Sequence, residues 1–177
     1  IAWRWRNQAA TRWYIRFTIC VLLFTLLYVA ELSTSNADIM YFLDIASLLP
    51  VVLSTNFLLL FCLSYTGYAH VITRRVQFAL LIMPTLYTTF IWTDGLHHQY
   101  LTSLERIEVN GLYFMQATVS FSPYLLLFFF YFVIMQLSIF ILLFHGMAKS
   151  PLHLRKQYNL IILSLLPTLV ATFIDAT

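Results

Sequence analysis

Seven carboxylates and five histidines are the residues of this chain best suited to chemistry, and their spacing suits anchoring better than catalysis. Asp44 is the boldest. It lies in the apolar run IMYFLDIASLLPVV, where an ionisable group is costly and ordinarily faces a bundle interior or a watery cavity. Ser47, Val51, Ser54 and Thr55 follow it at i+3, i+7, i+10 and i+11, so a helix here carries a polar stripe on one face. Residue types alone leave two readings of Asp44 open: a cavity-facing carboxylate, or one close enough to the membrane surface to reach water. Thr85, Thr88 and Trp92 line a second helix, and Ser164, Thr168, Thr172 and Asp175 a third. Hydroxyls at helical spacing are more often helix-packing contacts than ligand contacts.

The histidines separate into His97 and His98 next to Asp94, and His70, His145 and His153 near basic residues. Imidazole and carboxylate suit zinc, but two histidines and one acid on a loop are more often simply solvated, so no metal site is assigned. No spacing points to axial ligation of a haem, and no cofactor is expected. Cys20 and Cys62 each fall inside an apolar segment, where a thiol fills space. No Ser-His-Asp or Cys-His pairing has a motif around it, and the four glycines form no phosphate-cradling loop. The residues present therefore imply no catalytic site: this stretch is not expected to be an enzyme.

The elements that must position these residues are set by the solvent. The run Leu125 to Phe144 has twenty residues without a charge, glycine or proline; at about 1.5 Å per residue it covers about 30 Å, the thickness of a bilayer's hydrocarbon core. The whole chain is 61% hydrophobic and only 10% charged, with a mean hydropathy of +0.82, a balance from which no water-facing globular surface can be built. The predicted fold is an all-α integral membrane helical bundle with five spans, at about 14–31, 39–65, 76–93, 121–145 and 157–175, forming one domain over 1–177. Pro50, Pro84 and Pro167 interrupt three of the spans, and the sequence does not choose between packed kinks and signalling hinges. The start at Ile1 and the stop inside an apolar segment read as a piece of a longer protein.

Between the third and fourth spans, ERIEVNGLYFMQ reads as a short extracytoplasmic β-hairpin over 104–117, with strands 104–109 and 112–117 around Asn110-Gly111, the residue pair that a type I′ turn favours. Charge then orients the chain. Nine of the ten Lys and Arg residues, all but Arg106, fall on one side, and all seven acids fall at or near the other. The basic side is cytoplasmic by the positive-inside bias, which places the N-terminus of this chain inside. The net charge of +3 is explained by these flanks, without a nucleic-acid partner.

The order of landmarks carries a resemblance: ELS at 31–33, Pro50, YTG at 65–67, the pair Arg74 and Arg75, Pro84, TDGLH at 93–97, NG at 110–111, SPYLLL at 122–127, LRKQ at 154–157 and LLP at 165–167. It resembles the N-terminal seven-helix sensory region of bacterial histidine kinases and some diguanylate cyclases. Asp94 stands where that pattern often has Asn. Against the family pattern the first span, the end of the sixth, the seventh and the output domain are missing. The resemblance implies a multi-pass receptor in the bacterial inner membrane that regulates a cytoplasmic kinase or cyclase as a homodimer through that output domain. The predicted partners are the lipid bilayer and a small-molecule or lipid-like ligand.

Topology brings Glu31, Asp44, Asp94, His97 and Asp175 to the outer mouth, with Ser47, Trp92 and Tyr124 within. These eight are the predicted ligand-binding residues, held in a largely apolar pocket with few polar anchors. A transporter or channel subunit moving a small solute or cation is the rival reading, because intramembrane acids and kinked helices suit it equally.

Overall fold

The computed structural model describes the backbone of residues 2–97, 101–109, 112–119 and 122–174, and the side chains of residues 9–97 and 122–165. It holds α1 (Ala2–Leu32), α2 (Ala37–Tyr65), a 3-10 turn at Ala69–Val71, α3 (Arg74–Trp92), α4 (Asp94–His97), β1 (Leu101–Val109), β2 (Leu112–Val119), α5 (Pro123–Lys149) and α6 (Leu152–Ile174). The five long helices coincide with the predicted spans to within a few residues, except at α1 and α6. There the helix continues through the basic flank, 2–13 in α1 and 152–156 in α6.

Each boundary has a local cause. The Asn36 side chain accepts from the amides of Asp38 and Ile39 at 2.9 and 3.3 Å and starts α2, and Asp38 adds a negative charge in the first turn, where the helix dipole favours it. The α2 helix stops where the Thr66 hydroxyl turns back to the Cys62 carbonyl at 2.7 Å and Gly67 takes φ 94°, a conformation that L side chains rarely adopt. Thr73 caps α3 through the Val76 amide. Ser122 caps α5 through the Leu125 amide, with Pro123 at the helix start.

Among the described residues, three helices are long and apolar enough to cross a membrane: Ala9–Leu32, Ala37–Tyr65 and Pro123–Lys149. Arginine, glutamine and threonine residues dilute the apolar character of α3. More than half of the apolar window of α2 is buried within the protein (56%), against 11% for α1 and 22% for α5, which makes α2 the central helix. It packs against α1, α3 and α5, and α5 in turn carries α6. On one side Trp13 stacks on Phe57 at 6.1 Å while the Arg16 guanidinium lies 4.5 Å from the Trp13 ring, joining α1 to α2. On the other, Leu58, Leu59 and Cys62 of α2 meet Ile139 and Leu143 of α5 and Tyr158 of α6 in the main core cluster. The outward faces remain apolar, with Leu26, Phe78 and Leu160 all about two-thirds exposed or more. Such surfaces suit lipid and not water.

The two strands pair antiparallel, with Ile107 opposite Phe114 and Val109 opposite Leu112, and an irregularity near Leu101 and Ser103. They run longer than predicted at their outer ends, Leu101 and Val119. Asn110 and Gly111, where the turn is predicted, lie outside the described residues, as does Asp175 at the end of the last predicted span.

Candidate functional site

Three of the predicted acids do converge. Glu31 ends α1 at 7% exposure, Asp94 opens α4 at 3%, and Asp44 is half-buried one to two turns into α2. Asp44 lies near enough to Glu31 to feel its charge, and Asp44 and Asp94 both lie near Tyr41, so carboxylates of α1, α2 and α4 are neighbours at one end of these helices.

His97 joins the mouth differently from the prediction. Its Nδ1 lies 3.4 Å from Asp94 Oδ1, its Nε2 3.0 Å from the Phe90 carbonyl, and its ring stacks on Phe90 at 4.6 Å and 15°. The imidazole shares the Phe90 carbonyl with the Thr93 hydroxyl, which lies 3.2 Å from it. Through His97, α4 thus folds back over the end of α3; the histidine fastens the rim as well as facing the space below it.

That space is an open groove of about 470 Å³ between the C-terminal half of α3 and the N-terminal half of α5. Leu86, Tyr87 and Phe90 wall it on one side and Tyr124, Leu127 and Phe128 on the other, with Thr93 and His97 at the end next to α4. Tyr87 and Phe128 close the two helices together, their ring centroids 3.6 Å apart and planes within 9° of parallel. Tyr124 reaches the groove and packs on Phe90 at 4.8 Å.

Other predicted contributors lie elsewhere. Ser47 is buried, but its hydroxyl donates to the Asp44 carbonyl of its own helix at 2.7 Å, as Ser54 donates to Val51; the polar stripe is largely satisfied by backbone. Trp92 is 57% exposed and tilts against Phe42 at 6.4 Å instead of lining an interior. Thr85 returns its hydroxyl to Leu81. Thr88 alone of that stripe keeps a buried hydroxyl without a partner among the described residues.

Sequence reasoning passed over Asn56, which is 2% exposed at the middle of α2. Its Nδ2 donates to the Leu80 carbonyl of α3 at 2.7 Å, and its Oδ1 accepts from the Tyr131 hydroxyl of α5 at 2.6 Å. The available signal was an amide inside an apolar helix, which must find a partner on a neighbour.

At the opposite, basic end, Tyr68 sits between His70 and His145, with ring centroids 6.1 Å from each. Among the described residues no three His, Cys, Asp or Glu side chains gather as a metal ion would require, and Cys20 and Cys62 are buried free thiols.

No curated protein and no solved structure matches the chain. The family model described as the N-terminal 7TM region of histidine kinase matches residues 1–177. The chain therefore belongs to that family, the membrane-embedded sensory region of histidine kinases.

Proposed function

We propose that this region detects a small apolar or amphipathic molecule at the outer side of the bacterial inner membrane and thereby regulates a histidine kinase on the cytoplasmic side. All five long helices cross the bilayer in this reading, with the N-terminus inside and the β1–β2 ribbon and acidic mouth outside. The charge segregation along the chain supports that orientation. Dimerisation belongs to the kinase portion. The eight predicted residues divide accordingly. His97 and Tyr124 contact the ligand; Glu31, Asp44 and Asp94 set the potential at the entrance, where Asp175 is also assigned. Ser47 and Trp92 support α2 and α3.

The single observation behind the reading is the groove between α3 and α5. Its walls are mostly apolar, and its few polar groups are those of Tyr87, Thr89, Thr93, His97 and Tyr124, the usual plan of a small-molecule site. A ligand there signals if it binds one arrangement of the two helices more tightly than another. Filling the groove from within tests this. In the full-length kinase reconstituted in vesicles, Leu86→Trp should shift the autophosphorylation rate by about tenfold, as expected for a bias of about 1.4 kcal/mol between two states. Phe78→Trp, on an exposed part of α3 outside the groove, should leave the rate unchanged. Equal rates for both variants and the parent would sink the groove as sensing site.

A further inference from the structure

Pro84 lies inside α3 and is fully buried. A proline has no amide hydrogen, so the carbonyl four residues earlier loses its intrahelical donor. That carbonyl belongs to Leu80, and it is the one that Asn56 reaches across from α2 at 2.7 Å. The orientation of the amide is unambiguous: a carbonyl can only accept, so the nitrogen faces Leu80 and the oxygen faces Tyr131. Tyr131 donates to that oxygen at 2.6 Å and also stands 3.4 Å from the Leu80 carbonyl itself. Three helices thus meet at one vacancy in the backbone ladder of α3.

The clamp adjoins the groove. Phe128, which stacks on Tyr87 in the groove wall, contacts the Tyr131 ring at 6.4 Å one turn further along α5. On α3 the groove residues run from Met83 to Thr93, from the proline outward. A molecule that spreads α3 from α5 therefore levers the outer part of α3 about the one point where the helix lacks its own hydrogen bond, and it displaces the tyrosine that holds Asn56 in place.

We infer that Asn56 and Tyr131 are positioning residues of a hydrogen-bonded clamp on the Leu80 carbonyl. The clamp reads occupancy of the α3–α5 groove by holding or releasing the Leu80 carbonyl, and with it the angle of α3 at Pro84. This rests on the proposed role of the groove and adds how its occupancy reaches α2, the central helix.

The clamp has two discrete conditions because the Leu80 carbonyl lies among three packed helices with no strong donor of its own. It is either held by Asn56, as seen here, or left to find a weaker partner, and buried polar groups do not stay half-satisfied without cost. The backbone of α3 at Pro84 is thereby tied to the placement of α2 and α5 at once. A bulky side chain in the groove should move that balance only while the clamp exists to be moved.

The test uses the full-length kinase in vesicles, with autophosphorylation rate as readout and Leu86→Trp as the occupant of the groove. The parent background should show a shift of about tenfold, and the Tyr131→Phe background a shift of under about twofold, since loss of the hydroxyl uncouples the groove from Asn56. Equal shifts in both backgrounds would overturn the clamp while leaving the groove as sensing site. No shift in either would remove the groove reading and the clamp with it.

A second pair of variants separates signalling from packing. Asn56→Leu strands the Leu80 carbonyl in the parent, but in a Pro84→Ala background residue 84 supplies the missing amide. Asn56→Leu should therefore change the rate in the parent and have under about half that effect, on a logarithmic scale, beside Pro84→Ala. Additive effects would overturn the inference. Tyr131→Phe removes a single oxygen and keeps the question answerable even if Asn56→Leu fails to insert.

Discussion

Gly146 of α5 and Tyr158 of α6 approach so closely that a Cβ on the glycine would stand 2.9 Å from the Tyr158 Cε1 and 2.8 Å from Cγ2 of Thr66, the residue that ends α2. Beside this contact the Tyr65 hydroxyl donates to Gln157 Oε1 at 3.2 Å, and the Tyr65 and Tyr158 rings lie 5.0 Å apart. The end of α2, the end of α5 and the start of α6 are therefore joined at a glycine. Gly146→Ala should destabilise the protein by about 1–3 kcal/mol, the ordinary cost of overpacking a close contact, unless α6 moves aside. Thermal unfolding in detergent measures the first outcome. A Tyr158→Phe, Gly146→Ala pair should recover little, because the Cε1 contact remains; full recovery would show that the hydroxyl alone sets the spacing.

His97 bridges Asp94 and the end of α3. His97→Ala removes both contacts, and with Asp94 buried at 3% exposure the loss should cost about 1–3 kcal/mol. Asp44→Asn should cost under about 1 kcal/mol, because Asp44 is only half-buried. Melting curves of the two variants in one detergent give the comparison, and an equal loss would show that the rim does not depend on the histidine.

The orientation rests on labelling. Cysteines placed at Thr34 and Ser103 should react with a membrane-impermeant maleimide in intact cells, and cysteines at Thr73 and Ser150 should not, since those positions accompany the basic flanks. The native Cys20 and Cys62 are buried and give little background. The reverse pattern would put the acidic mouth on the cytoplasmic side and refute the proposed entry route.

The register of the ribbon leaves two residues, Asn110 and Gly111, between the paired Val109 and Leu112. A two-residue connection of type I′ needs positive φ at both positions. Gly111→Val should therefore loosen the ribbon, seen as at least about fivefold faster amide exchange across residues 101–119, because a β-branched residue resists that conformation. Unchanged exchange would mean another turn type.

Much of the architecture is legible residue by residue. Long runs without charge become helices because lipid offers no partner for backbone polar groups, so each segment must satisfy its own. The ends are written locally as well: Asn36, Thr73 and Ser122 each cap the helix that begins beside them, and the alternation around Asn110-Gly111 announces paired strands. The nearness of Glu31 to Asp44, and of Asp44 and Asp94 to Tyr41, is what the predicted topology leads one to expect of these helix ends.

Facing directions had to come from the tertiary structure. A helix that is apolar on every side carries no periodic contrast between its core face and its lipid face, so nothing in the local sequence turns Trp92 outward or Tyr124 toward the groove. The Asn56 clamp joins residues 24 and 75 positions apart. The proline that frees the Leu80 carbonyl is visible in the sequence, but which amide fills the vacancy depends on the relative height of three helices. That height is decided by their packing, the one quantity that a single apolar segment cannot encode.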